Sequence, residues 1–150
     1  LGPGIYTVNV KVTVCDCCRF DASAKLVIGR TVLIDIKPDS DPNSVNLREQ
    51  GVLPVAILGS ADFNVKNIDP TTIKIGDKVG LVKKKKGLMF AYEDVDSDGF
   101  MDLVVFFSVP ELVGSTPPVL TPDTTELILT GKLIDGTPIS GKDFVRVVPP

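Results

Sequence analysis

Asp94-Val-Asp96-Ser-Asp98-Gly99-Phe-Met-Asp102-Leu-Val-Val-Phe-Phe107 runs from an acidic loop straight into an apolar segment. Four carboxylates fall within nine residues, three of them at alternate positions, and a glycine follows the third. Ca²⁺ takes six to eight oxygen ligands, and Asp at positions one, three and five of a tight loop supplies them. Gly99 permits the sharp turn that aims the side chains inward. With Asp94 as position one, the backbone carbonyl of Phe100 stands at position seven and Asp102 at position nine. Position twelve is Val105, where an EF-hand needs a bidentate Glu. The residues after the loop are β-branched and aromatic, so they read as a buried strand and not as an exiting helix. The reading is therefore an acidic loop at the entrance to a β-strand, with Ca²⁺ held by Asp94, Asp96, Asp98, the Phe100 carbonyl and Asp102. The competing reading is an acidic turn without metal, since Asp and Gly are common turn formers.

Outward from that loop, β signals dominate. Near the start, Tyr6, Val8, Val10, Val12 and Val14 alternate with Thr7, Asn9, Lys11 and Thr13, which predicts a long half-buried strand. Its partner comes either from later in this chain or from another chain. Further strands are expected at 26–29, 31–36, 51–58, 69–75 (after a turn), 103–107, 126–130, 132–136 and 144–148. Pro54 marks an edge or a bulge, and Asp135-Gly136 signals a turn. Residues 61–63 read as one helical turn, and residues 110–118 as a Pro/Gly/Ser/Thr loop. About ten short strands, 12 Pro, 13 Gly and almost no helical periodicity predict an all-β chain. The expected fold is an antiparallel β-sandwich, immunoglobulin-like or jelly-roll. Residues 1–30 form an N-terminal strand or arm with a cysteine cluster, and residues 31–150 form the calcium-binding sandwich.

Three smaller features carry alternatives. Asp39, Asp41 and Asn43 are spaced like oxygen ligands, for a second cation or to complete the first site; the favoured reading is an Asx-rich turn. Cys15, Cys17 and Cys18 are odd in number, so an intermolecular disulfide or one reactive thiol stands against three reduced thiols. Lys83 to Lys86 reads as a solvated hairpin guarding a sheet edge, with contact to an acidic polymer as the alternative.

Composition excludes several chemistries. The 150 residues carry a formal charge of −3 and no His, and the isoelectric point is near 4.9. Ser-His-Asp and Cys-His catalysis and His-ligated zinc are absent. Neither GxGxxG nor GxxxxGK[ST] occurs. There is no Trp, and Tyr6 and Tyr92 are the only Tyr, a poor supply for stacking sugars. No apolar run reaches membrane-span length, and no signal-peptide pattern opens the sequence. The acidic balance argues against nucleic acid as a partner. No residue is assigned a catalytic role; a carboxylate-only hydrolase needs no His, but the clustered Asp serve better as metal ligands.

From residue 32 to 148 the chain resembles a secreted bacterial and archaeal calcium-binding β-sandwich accessory module. The resemblance rests on Val32-Leu-Ile-Asp-Ile-Lys-Pro-Asp-Ser-Asp-Pro-Asn-Ser-Val-Asn46 and Gly51-Val-Leu-Pro-Val-Ala-Ile-Leu-Gly-Ser-Ala-Asp-Phe63. It continues through Asp69-Pro-Thr-Thr-Ile73, Glu93-Asp-Val-Asp-Ser-Asp-Gly99 and Leu129-Thr-Gly131…Asp135-Gly-Thr-Pro-Ile139. It implies export, a β fold, calcium at Asp94, Asp96, Asp98 and Asp102, and no enzymatic activity. Ser97, where Gly or Asn is common, and the lysine run depart from the pattern. The opening segment resembles the last strand of a PKD-type immunoglobulin-like repeat. A terminal strand with an apolar face suits donor-strand pairing, so residues 1–14 are expected either to pair with another copy or to begin the main sandwich. The functional expectation is a non-enzymatic structural subunit of a secreted or cell-surface assembly, self-associating into an oligomer or filament. The alternative is a secreted module that binds carbohydrate, such as a surface polysaccharide, or another cell-surface ligand.

Overall fold

The computed structural model of the chain describes residues 2–15 and 18–149, with the backbone alone for residues 10–15 and 18–22. In chain order the strands are β1 (Gly4–Cys15), β2 (Cys18–Ile28), β3 (Arg30–Thr31), β4 (Ile34–Ile36), β5 (Ser44–Asn46), β6 (Val52–Ile57) and β7 (Ile68–Ile75). They continue with β8 (Val79–Gly80), β9 (Lys83–Lys84), β10 (Gly87–Leu88), β11 (Phe90–Glu93) and β12 (Asp102–Ser108). The short helix α1 (Val109–Gly114) follows, then β13 (Glu126–Leu133), β14 (Pro138–Phe144) and β15 (Arg146–Val148).

Two sheets enclose the core. One has four antiparallel strands in the order β11-β12-β6-β4. The other has five, in the order β3-β14-β13-β7-β8. Alternation builds the interface between them. Leu53, Val55 and Ile57 on β6 are buried beside Leu103, Val105 and Phe107 on β12. Ile73 and Ile75 on β7, Leu127 and Leu129 on β13, and Ile139 on β14 supply apolar side chains from the second sheet. Inward residues thus recur every second position, as the pleat requires. The fold is all-β and sandwich-like, as the sequence predicts.

The antiparallel expectation fails at one edge, where β3 runs parallel to β14. Gly141 makes this approach sterically open. A side chain there would meet the Val32 carbonyl at 2.6 Å and Ile34 Cγ2 at 2.9 Å. A second parallel pair joins β5 to β15 and buries Val45.

Pro54 is neither at an edge nor in a bulge. It lies opposite Phe106 in β6, between β12 and β4. The Phe106 carbonyl accepts from Val82 N at 3.0 Å, away from β6, so Phe106 and Pro54 exchange no ladder bond. On the other side β4 has already ended at Lys37, whose φ is +54°. Lys37 N donates to the Pro54 carbonyl at 2.8 Å, and the Lys37 carbonyl accepts from Ser40 N at 3.0 Å in the turn that follows, so it does not depend on an N–H at Pro54.

Residues 110–118 are not all loop. Ser108 Oγ accepts from Glu111 N at 3.3 Å and caps α1, with Pro110 in the first turn. Val109 and Leu112 are buried in the core. The loop-forming composition hid these two anchors, three positions apart, with the partly buried Val113 four positions from Val109. The helical turn expected at 61–63 falls later, at Val65–Asn67, capped by Asn64 Oδ1 accepting from Lys66 N. Ser60 and Phe63 instead exchange two backbone hydrogen bonds around the preceding turn.

Strand β1 is not alone and does not enter either main sheet. It pairs antiparallel with β2 along nearly its whole length, from Gly4 opposite Ile28 to Cys15 opposite Cys18. The two form a separate two-stranded sheet. Beyond residue 9 the side-chain face predicted for Val10, Val12 and Val14 lies outside the described side chains. So do the thiols of Cys15 and Cys18, and Cys17 lies outside the described residues. The lysine run does form a hairpin, β9–β10, with all four lysines exposed.

Candidate metal centre

The acidic loop stands at the entrance to β12, as expected, and connects it to β11, a strand the sequence reading lacked. Asp94, Asp96 and Asp102 bring carboxylate oxygens within 4.8 Å of one another. Asp94 and Asp96 are exposed, whereas Asp102 is fully buried. Asp102 belongs to β12, opposite Glu93, so the strand ladder fixes its position.

Two of the three carboxylates, those of Asp102 and Asp94, have structural anchors. Asp102 Oδ1 accepts from Gly59 N at 2.7 Å, and Oδ2 accepts from Val95 N at 2.9 Å. One buried acid thereby ties the loop to the end of β6. Asp94 closes the loop by accepting from Asp98 N at 3.2 Å and Gly99 N at 3.0 Å. Two left-handed residues make that closure, Ser97 at φ +58° and Gly99 at φ +87°. Gly99 adopts this backbone freely; Ser97 does so at a cost.

Asp98 stands apart from the three converging acids. Its Oδ1 accepts from Phe100 N at 2.9 Å in an Asx turn. It is nonetheless close enough to act on Asp96. The Asp96 carboxyl is held above the ordinary carboxylate range by partial loss of hydration, then by the negative charges of Asp102 and Asp98.

The donor set suits a hard cation. Every converging side chain is a carboxylate, and each oxygen that accepts one N–H keeps further lone-pair capacity. Among the described residues, the one ion pair is Lys142 with Glu126, so no lysine or arginine neutralises the loop. The Phe100 carbonyl lies on the same loop, between Gly99 and Asp102.

The second stretch behaves differently. The Asn43 amide nitrogen is engaged within the fold: Nδ2 donates to Asp143 Oδ2 at 2.9 Å and to the Phe144 carbonyl at 2.8 Å. Asp39 takes φ +71° in the turn after β4. Among the described residues, neither Asp39 nor Asp41 joins a group of three acids with converging oxygens. Together with Asp143 they crowd Asp35, whose pKa is raised first by burial and then by these three charges. Asp143 is in turn held by Ile36 N at 3.0 Å.

The sequence missed Gly59. Any Cβ at this position would collide with the Met101 carbonyl, so the close approach of β6 to β12 requires glycine. Its only signal was a glycine at the end of an apolar strand. The Asp35–Asp143 neighbourhood was also unreadable, because the two lie 108 positions apart. No protein-family model matches the chain, and no curated protein is significantly similar to it. Among the described residues, no helix is long and apolar enough to cross a membrane.

Proposed function

We propose that this protein is a calcium-stabilised β-sandwich subunit of an extracellular or cell-surface assembly, with a structural role and no catalysis. The observation that carries the reading is the convergence of Asp94, Asp96 and Asp102 around a space bordered by the buried Asp102 carboxylate. Asp102 holds the ends of β6 and β12 together through its N–H contacts. A cation bound there would fasten loop and sheets at one point and favour the folded state by selective binding. The module resemblance over residues 32–148 agrees with a secreted, calcium-dependent role.

Assembly would run through the hairpin β1–β2. A two-stranded hairpin is marginal alone and gains stability from a third strand. The outer edges of β1 and β2 have no strand partner among the described residues. Ile5 and Val27, opposite each other near the base, are 42% and 48% exposed, and Val8 is similarly open. Pairing by one of these edges with another copy replaces the lone donor strand of the sequence reading. A head-to-tail contact of this kind does not close on itself and gives filaments.

The test is the size distribution of the intact chain in calcium, by negative-stain electron microscopy, beside a Val8→Lys/Val27→Lys variant. Both positions are exposed, so the variant keeps its fold. The reading expects assemblies from the intact chain and their loss in the variant. Uniform monomers from the intact chain would contradict it.

A further inference from the structure

The outer face of the five-stranded sheet carries an open groove of about 580 Å³, remote in sequence from the acidic loop. Alternation creates it. Ile73, Ile75, Leu129 and Ile139 turn into the core, so Lys74, Thr130, Lys132 and Ser140 turn outward. Register then places them side by side: Lys74 lies opposite Thr130, and Thr130 opposite Ser140. Arg30 of β3 closes one end of the groove.

Charge in the groove runs against that of the chain. The whole sequence has 16 Lys and Arg against 19 Asp and Glu. The groove lining holds three cations, Arg30, Lys74 and Lys132, and one acid, Asp77. That acid is engaged, with Asp77 Oδ1 accepting from Thr130 Oγ1 at 2.9 Å. Among the described residues, none of the three cations forms an ion pair. Arg30 is also positioned in advance. Its guanidinium lies 4.6 Å from the Phe63 ring centroid, and Nη2 donates to the Asp62 carbonyl at 3.2 Å. An ordered guanidinium loses less side-chain freedom when it binds an anion.

We infer that this groove binds an anionic glycan, a polysaccharide segment bearing carboxylates. Lys74 and Lys132 pair with the charges, and Arg30 clamps one carboxylate by its free N–H donors. Hydroxyls such as that of Ser140 meet the sugar hydroxyls. The lining holds no aromatic ring, so neutral sugars find no stacking platform, and the preference falls on charged ones. A protein partner fits less well, because the groove offers no large apolar pocket for the anchor residues that dominate such interfaces. The inference stands apart from the calcium loop and from self-association.

The test is calorimetric titration of the whole protein with an oligogalacturonate, beside a neutral galactose oligomer of equal length. Arms at low and at physiological salt, and a polyglutamate peptide as a second anion, complete the set. Binding of the oligogalacturonate alone is expected, weakening as salt rises. Lys74→Glu/Lys132→Glu should weaken it by at least about tenfold, since each replacement removes an attraction and adds a repulsion. A control replacing Lys83 to Lys86 by Gln, in the β9–β10 hairpin outside the groove lining, should leave the affinity unchanged. Thermal melts of both variants separate lost binding from lost folding. Absent binding, equal binding of polyglutamate, or a loss that follows the hairpin lysines and not Lys74 and Lys132 would each overturn the inference.

Discussion

Gly59 donates its backbone N–H to the buried carboxylate of Asp102 at 2.7 Å, joining the end of β6 to the start of β12 across 43 positions of sequence. The contact exists because Gly59 has no side chain. A Cβ there would overlap the Met101 carbonyl, which belongs to the backbone and cannot rotate away. Asp102 is therefore a structural acid and a metal-ligand candidate at once, and its two roles share one geometry.

Gly59→Ala separates β6 from β12 and weakens the hold on Asp102. The strain of overpacking and the loss of a charge-assisted hydrogen bond together destabilise by roughly 2–4 kcal/mol. Urea unfolding of the variant beside the parent measures it. Calcium affinity, read by titration, should fall in the same variant although Gly59 contributes no ligand. A variant with parental stability and calcium binding would show that the close approach is dispensable.

Asp35→Asn should stabilise the protein at neutral pH. The Asp35 carboxyl titrates above its ordinary value because of burial, then because of Asp143, Asp39 and Asp41. The native state therefore holds this proton more tightly than the unfolded chain. Stability falls as pH rises from the unfolded value of 3.8 through the raised native value, and the penalty then persists at higher pH. The Asn variant lacks that contribution. Its advantage over the parent should grow across that window and level off above it, in melts recorded from acid to neutral pH. An advantage independent of pH would assign the effect to packing.

Ser108→Ala and Leu112→Ala probe α1. Loss of the cap should cost about 0.5–2 kcal/mol. Leu112 is fully buried, and its truncation should cost about 2–5 kcal/mol. Chemical denaturation orders the two, with Leu112→Ala the larger. The reverse order would mean that the helix is held by its cap and not by the core.

Legibility followed the range of the forces. The β-branched and aromatic run of residues 103–107 and the period-two alternation of residues 5–9 are local, and they gave the strands directly. The Asp loop was readable because its carboxylates and its turn lie within nine residues. Sheet edges were not. Pro54 is tolerated inside β6 only because β4 ends at Lys37, and no property of Pro54 announces that. Helix α1 was hidden by Pro, Gly and Ser that serve as its cap, first turn and end. Strand β14, with Ser140, Gly141 and Lys142, looks polar because Gly141 makes room for Val32 where an apolar side chain would have advertised a strand. The pairing of β1 with β2 was missed because the sequence from Cys15 to Cys18 carries the cysteine cluster and no standard hairpin dipeptide.

Thermal unfolding of the same sample in calcium and after thorough chelation tests the central claim most directly. At calcium a hundredfold above its dissociation constant, selective binding adds about 2.7 kcal/mol, which raises the melting temperature of a chain this size by roughly 5–10 °C. Asp96→Ala serves as the internal control, since Asp96 is exposed and its replacement removes a candidate oxygen ligand without opening a buried hole. The account predicts a calcium-dependent rise in the parent that shrinks sharply in this variant. An identical melt with and without calcium in the parent would contradict it and leave the Asp94–Asp102 loop as an acidic turn without a metal.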